Sequence, residues 1–175
     1  MNDRATVAVQ LGRDPRGEVD VVARCPFGLP LVIRTSPRLE DGSPFPTLYY
    51  VVCPVAVREI GRLEAAGAMR ELEARLADDA ELRDAYARAH DRYRAQRDAV
   101  VVLDEPASAG GMPSRVKCLH ALYAHERADA NPIGAIVRER IEPIDCPGPC
   151  VQTAADGTVT ATQGHPGFSG KKRRR

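Results

Sequence analysis

The chain has 175 residues, a hydrophobic share of 43%, a charged share of 28% and a formal net charge of +1. That length suits one domain plus a tail, and the near-zero charge supplies no global field to draw in nucleic acid or a membrane surface. Trp is absent and aromatics make up 5%, so the core must be aliphatic. No apolar run approaches the roughly 20 residues of a membrane span. Met1-Asn2-Asp3-Arg4 has no apolar signal-peptide segment behind it. The expected location is therefore the cytoplasm. Five cysteines there read as reduced thiols or metal ligands rather than disulfides.

Residues 5–11 can form a short helix, which Gly12 to Gly17 then breaks. Residues 19–23 are valine-rich and read as a strand. Cys25-Pro26-Phe27-Gly28-Leu29-Pro30 is a turn, and residues 31–35 form a second strand with β-branched Val32 and Ile33. A loop with three prolines and Asp41-Gly42 leads to residues 47–52, the strongest strand signal in the chain. Short connections make these a small antiparallel sheet.

Cys53-Pro54 switches the chain from strand to helix, with Pro54 as the first helical residue. Ile60, Leu63, Gly67, Met69, Leu72 and Leu76 give a loose helical stripe as far as Ala77. Asp78 and Glu81 form a capping box for a second helix over residues 79–98, with Leu82, Tyr86, Ala89 and Tyr93 inward. Glu71–Arg75 and Asp84–Arg88 are spaced as i,i+4 pairs. The charged run from Arg83 to Arg97 reads as a solvated face, since acids alternate with the bases; an interaction face for cell-division or RNA partners is the rival reading. Residues 100–103 could add a fourth strand.

The stretch from Ser108 to His120 carries a glycine pair, a helix-start signal, a thiol and an imidazole. Pro113 suits a first helical position, and Val116, Leu119, Leu122 and Tyr123 recur at helical spacing, so residues 113–127 are expected as one helix. On an ideal helix His120 sits about 200° round from Cys118, too far for both to hold one ion. Cys118 and His125 fall two turns apart on nearly one face. A glycine pair before a helix can also cradle an anion, which makes Gly110, Gly111, Arg115, Lys117 and His120 candidate residues for a phosphorylated or nucleotide ligand. Asn131-Pro132 caps a final helix to about Ile141. Residues 151–175 are polar and small without periodicity, and are expected as a disordered tail ending in Lys171-Lys172-Arg173-Arg174-Arg175, a cluster that could touch nucleic acid weakly.

Cys25, Cys53, Cys118, Cys146 and Cys150 are the candidate metal ligands. Cys25, Cys53 and Cys146 are each followed by proline, which removes a competing N–H donor and is a common neighbour of iron–sulfur ligands. CxxC pairs are absent, so ligands would have to converge from distant segments; zinc and an iron–sulfur cluster are both open. Cys25, Cys53 and Cys118 sit at element boundaries from which a loop can aim them, with Cys146 or Cys150 as a fourth ligand. A phosphatase loop is excluded, because Arg58 lies five residues after Cys53 rather than six and Pro54 supplies no N–H. No GxSxG, HExxH or GxGxxG pattern occurs.

Arg24-Cys25-Pro26-Phe27-Gly28-Leu29-Pro30, Asp41-Gly42-Ser43-Pro44-Phe45-Pro46-Thr47-Leu48-Tyr49-Tyr50, Cys53-Pro54, Gly110-Gly111-Met112-Pro113 and Arg115-Val116-Lys117-Cys118-Leu119-His120 together resemble a bacterial family catalogued as domain of unknown function 501. The resemblance spans roughly residues 7–150. It implies no activity. It does imply a neighbourhood, since genes of the family tend to lie near those for enolase, a septum-formation coiled-coil protein and an exopolyphosphatase, which suggests a cell-division or polyphosphate-pathway protein.

The expected fold is α+β: a small antiparallel sheet of three to four strands packed on about four helices, forming one domain over residues 1–150. The leading function is metal binding through dispersed cysteines. An enzyme acting on a phosphorylated or nucleotide ligand at Gly110-Gly111 is the alternative.

Overall fold

The computed structural model describes residues 2–39, 41–45, 47–103 and 108–168. The fold is α+β. Among the described residues there are six α-helices, a three-stranded antiparallel sheet and a separate two-stranded one.

Helix α1 (Asp3–Leu11) starts at Asn2, whose side chain accepts from the Ala5 N–H, and stops at Gly12. The first sheet has the order β1 (Asp20–Arg24), β2 (Pro30–Arg34), β3 (Tyr49–Val51). Central strand β2 is buried over Pro30–Ile33 because both sheet faces are covered. Val7 of α1 packs with Ile33 and Val52 on one side. Leu31, Val32 and Val51 join the main core on the other. That core is aliphatic, with Val55, Ile60, Leu72, Leu119, Leu122, Ile133 and Val137 among its buried members.

The helical stripe after Cys53 is divided. Helix α2 (Pro54–Ala65) ends before Gly67, and α3 (Ala68–Asp78) restarts beyond it. The next helix, α4 (Ala80–Asp98), is capped by Asp79 rather than Asp78, with the Asp79 carboxylate accepting from the Leu82 N–H at 2.9 Å. Its inner face matches expectation: Tyr86, Ala89 and Tyr93 are buried. The Tyr93 hydroxyl accepts from the Leu48 N–H at 2.7 Å, and the Tyr86 hydroxyl donates to the Arg115 carbonyl at 3.0 Å. Glu71 reaches across to Arg140 at 3.0 Å rather than along its own helix to Arg75. Residues 100–103 are not a strand; Val100 and Val102 are exposed, and the Val101 N–H bonds back to the Arg97 carbonyl, prolonging the end of α4.

Helix α5 (Leu119–Ala128) starts six residues later than the sequence suggested. The Lys117 and Cys118 N–H groups both bond to the Gly110 carbonyl, so the chain closes a loop there instead of winding a helix. Gly110 and Gly111 permit that loop at φ of 67° and 96°, conformations that a side chain would strain. Helix α5 then packs on all three strands of the sheet, on α2 and on α6 (Pro132–Ile141). Asn131 caps α6 as expected, its Oδ1 accepting from the Gly134 N–H at 2.9 Å.

Residues 151–168 depart furthest from expectation. Strands β4 (Val151–Thr153) and β5 (Val159–Ala161) pair as a hairpin, followed by a 3₁₀ turn at Pro166–Phe168. Cys150 and Val151 are buried with Leu29, and the Pro166 carbonyl accepts from Arg58 Nη1 at 2.7 Å. A few apolar anchors hold this polar stretch, and its turn is made by backbone bonds between Ala154 and Thr158, which composition does not reveal. The basic cluster at 171–175 lies outside the described residues.

Two predictions follow from the packing. Gly134→Ala and Gly61→Ala should have opposite signs. A Cβ at Gly134 would meet the Leu122 carbonyl oxygen at 2.2 Å, whereas one at Gly61 meets nothing within 4 Å. In urea unfolding, Gly134→Ala should lose about 1–3 kcal/mol or more through forced separation of α5 and α6. Gly61→Ala should gain up to about 1 kcal/mol from helix propensity. Ending the chain at Cys150 should lower the thermal midpoint by several degrees, because burial of Val151 alone contributes about 1.5–3 kcal/mol and about 2–4 °C accompanies each kcal/mol at this size.

Candidate functional sites

Four of the five cysteines surround one cavity. Cys25, Cys53, Cys146 and Cys150 line a space of about 230 Å³ together with Gln10, Pro26, Phe27, Leu29, Val55, Ile144 and Gly148. The thiols come from three local structures. Cys25 opens the β1–β2 turn, its N–H bonded to the Leu29 carbonyl and its carbonyl to the Gly28 N–H. Cys53 is the residue before α2, so the Val55 and Ala56 N–H groups at the helix start face its sulfur. Cys146 and Cys150 flank Gly148 in the approach to β4.

The cavity is apolar, and burial dominates its thiol chemistry. Desolvation pushes Cys53 up to about 11, against the help of its helix-start donors, with Cys150 and Cys25 adding to the rise. Cys150 is also pushed up by burial, despite the hydrogen bond from Gln10 Nε2 at 3.6 Å. Neutral thiols are therefore favoured at neutral pH unless a cation enters among them.

Gln10 and His165 are two functional candidates that sequence reading missed. The Gly167 N–H donates to His165 Nδ1 at 3.2 Å, so the proton of a neutral ring sits on Nε2. That Nε2 lies 3.2 Å from the Gly148 carbonyl and 3.5 Å from Cys146 Sγ. Nothing in the composition around His165 signals this; it lies in the segment read as a tail.

Cys118 is not among the residues lining this cavity. It lines a second one of about 450 Å³ with His120, Gly110, Ser108, Val57 and the strand residues Tyr49–Val51. The sequence argument against a Cys118–His120 pair assumed that both lie on a helix. Cys118 is instead the residue before α5, extended at φ −153° and ψ 107°, which frees its side chain to meet His120. Glu64 on α2 completes the group: potential ligand atoms of Glu64, Cys118 and His120 all lie within 4.8 Å of one another. Among the described residues this is the one such cluster of three or more His, Cys, Asp or Glu side chains.

Glu64 Oε1 accepts from the Leu119 N–H at 2.8 Å, capping α5 in place of Cys118, which makes no side-chain cap. The same oxygen lies 3.3 Å from His120 Nδ1, and His120 Nε2 lies 3.1 Å from the Val57 carbonyl. A carbonyl and a carboxylate only accept, so satisfying both contacts requires a proton on each ring nitrogen. Burial opposes that charge, but Cys118, the Val57 carbonyl and Glu64 outweigh it and raise His120 to about 9. The balance at Cys118 runs the other way. Burial and Glu64 raise it, while His120 and the Ala121 N–H prevail and hold the thiol below its ordinary value.

The residues proposed for an anion disperse. Gly110 and His120 line the second cavity, while Gly111, Arg115 and Lys117 are not among its lining residues. Arg115 pairs with Glu73 at 3.0 Å.

A protein family described as of unknown function, DUF501, matches residues 21–139. The chain belongs to the DUF501 family. The matched span is narrower than the resemblance read from the motifs. It holds Glu64, Cys118 and His120 entire, but only Cys25 and Cys53 of the four-thiol cavity. No curated protein and no solved structure matches the chain. No helix among the described residues is long and apolar enough to cross a membrane.

His125, the other imidazole of α5, has a core role. It stacks on Tyr49 with ring centres 5.9 Å apart and meets the edge of Tyr93 at 5.1 Å. Asn131 Oδ1 is engaged by Gly134, so its Nδ2 must donate to His125 Nδ1, at 3.2 Å. Burial lowers His125 to about 4, opposed by Asp129 and assisted by Arg92 and His90. Its folded value lies below its unfolded one, so its contribution is present above about pH 6.5 and lost as pH falls toward 4. Urea unfolding at pH 7 and pH 5 should show a loss of roughly 1–3 kcal/mol on acidification, and His125→Phe should show a smaller one. Equal losses would mean that the folded state already admits the proton.

Proposed function

We propose that this DUF501 protein binds a metal centre through Cys25, Cys53, Cys146 and Cys150. The observation that carries the reading is the convergence of four thiols, from three separated segments, on one cavity. Four thiolates form the usual ligand set of structural zinc and of iron–sulfur clusters.

Spacing favours the cluster. A tetrahedral zinc ion with 2.3 Å bonds holds its sulfurs about 3.8 Å apart. No three of these cysteines meet even the 4.8 Å spacing that Glu64, Cys118 and His120 meet. A polynuclear cluster accepts ligands spread more widely around a cavity. The three Cys-Pro steps, the helix-start N–H groups at Cys53 and the N–H groups of Gln10 and His165 suit sulfur ligands that need hydrogen-bond donors but no water. Cys118 is left out of this ligand set.

Protein purified without oxygen should contain iron and acid-labile sulfide in similar amounts and absorb visible light. Cys53→Ala and Cys146→Ala should lose the metal, whereas Cys118→Ala should retain it. About one equivalent of zinc without sulfide would keep a metal site and remove the cluster. Less than about a tenth of an equivalent of either metal, after incubation with iron and sulfide, would leave the cysteines as structural thiols.

A further inference from the structure

The second cavity contains a group that the metal reading does not use. Cys118 sits at the N-terminus of α5, His120 is on the first turn, and Glu64 reaches both from α2. Cys118 and His120 are each only partly buried and both line the cavity, so a small molecule there can reach the sulfur. The rest of the lining includes Tyr49, Tyr50, Val51 and Val57, a largely apolar surface with few competing charges. Ser108 Oγ is buried on the same lining and has no hydrogen-bond partner among the described residues, which leaves a donor for a ligand oxygen.

We propose that Cys118, His120 and Glu64 form a nucleophilic thiol site that accepts the acyl group of a small, uncharged ester or thioester. This proposal is independent of the four-thiol centre.

The three side chains divide the work. The charged groups facing Cys118 are His120 on α5 and Glu64 on α2; Tyr49, from β3, is neutral because burial raises its phenol. His120 favours the ionised sulfur, and the start of α5 adds the favourable end of the helix dipole. The sulfur's electron pair forms a bond to the acyl carbon as the carbonyl π bond opens onto oxygen. When the carbonyl re-forms, the bond to the leaving group breaks, and the leaving group departs with its electron pair. The His120 imidazolium gives it a proton. Water then attacks the enzyme thioester and loses its proton to the now neutral His120. Collapse releases the carboxylic acid and restores the thiolate–imidazolium pair. Glu64 is a positioning residue: it touches no substrate, but it fixes the ring through Nδ1 and favours the protonated form.

The test uses the full chain with iodoacetamide, peptide by peptide, and with p-nitrophenyl acetate. The Cys118 peptide should alkylate at least about tenfold faster at pH 7 than those of Cys53 and Cys150, with a pH midpoint below the ordinary value of about 8.5. p-Nitrophenyl acetate should release about one equivalent of nitrophenolate in a burst and add one acetyl group to Cys118. His120→Asn should move the alkylation midpoint upward and suppress the burst. Glu64 helps to keep His120 protonated, so Glu64→Gln should move the upper pH limit of the burst downward with the circular dichroism spectrum unchanged, which a purely structural role would not do. A Cys118 midpoint at or above about 8.5 that His120→Asn leaves in place overturns the proposal. So does acetylation confined to other residues. Zinc that is lost on Cys118→Ser and His120→Asn but retained on Cys53→Ala would also overturn it, by making the triad a metal site. The Cys118 midpoint, the nitrophenolate burst and the site of acetylation do not depend on the iron content of the other cavity; the rate ratio to Cys53 and Cys150 is therefore read on metal-free protein.

Discussion

The Glu64 carboxylate joins the helical layer to the start of the most heavily packed helix. Helix α5 touches all three strands of the sheet and two other helices, so its first turn must be placed accurately. Its own N-cap residue, Cys118, makes no side-chain hydrogen bond. Glu64 supplies the acceptor from α2, thirteen residues beyond the end of β3, and in doing so also meets His120. Capping normally costs a helix little to arrange, because a local Ser, Thr, Asn or Asp does it. Here the cap is tertiary. Correct docking of α2 on α5 is what brings the carboxylate, the imidazole and the thiol within reach of one another.

Legibility in the sequence follows from how local the governing interactions are. The three strands, the Cys53-Pro54 switch and the Asn131 cap were legible because each depends on a few adjacent residues. The start of α5 was not. Pro113 fits a helix start by type, but the Gly110 carbonyl captures the Lys117 and Cys118 N–H groups and holds the chain extended until Leu119. That one displacement reversed the argument about Cys118 and His120, since a geometry valid within a helix does not hold across its first boundary. The same limit applies to residues 151–168. Their composition cannot form a core, yet Val151 and Cys150 lean on Leu29, a core member supplied by the β1–β2 turn. Convergence of Cys25 and Cys53 with Cys146 and Cys150 depends on that docking and was invisible to spacing rules.

The five thiols also divide by electrostatics. Cys53 and Cys150 lie where desolvation is the leading influence and no neighbouring cation offsets it, so each resists ionisation. Cys118 is only partly buried; desolvation raises it too, but a cationic imidazole and a backbone N–H reverse the outcome. The same residue type is therefore prepared for two kinds of partner. A thiol that ionises only when a metal arrives stays unreactive without it. A thiol already paired with His120 is nucleophilic before any ligand binds.

That division explains why the two sites need different amounts of the chain. The thiol–imidazole site draws on the loop at Gly110, α2, β3 and the start of α5, all inside the span that matches the family. Its chemistry requires one close contact and one accessible cavity, which short segments of a rigid sheet-and-helix layer can provide. A metal centre in the four-thiol cavity would need ligands on several sides and would also need water excluded. Cys25 and Cys53 supply one side from the sheet, and the segment from Ile144 to Cys150 supplies the other. The β4–β5 hairpin and the 3₁₀ turn then hold that segment down: Thr162 bonds to the Pro149 and Cys150 carbonyls, and His165 closes over Cys146. The polar end of the chain thus braces the wall of the apolar cavity that carries Cys146 and Cys150. Removing it would expose the Cys146 and Cys150 side to solvent while leaving Glu64, Cys118 and His120 with every partner described for them.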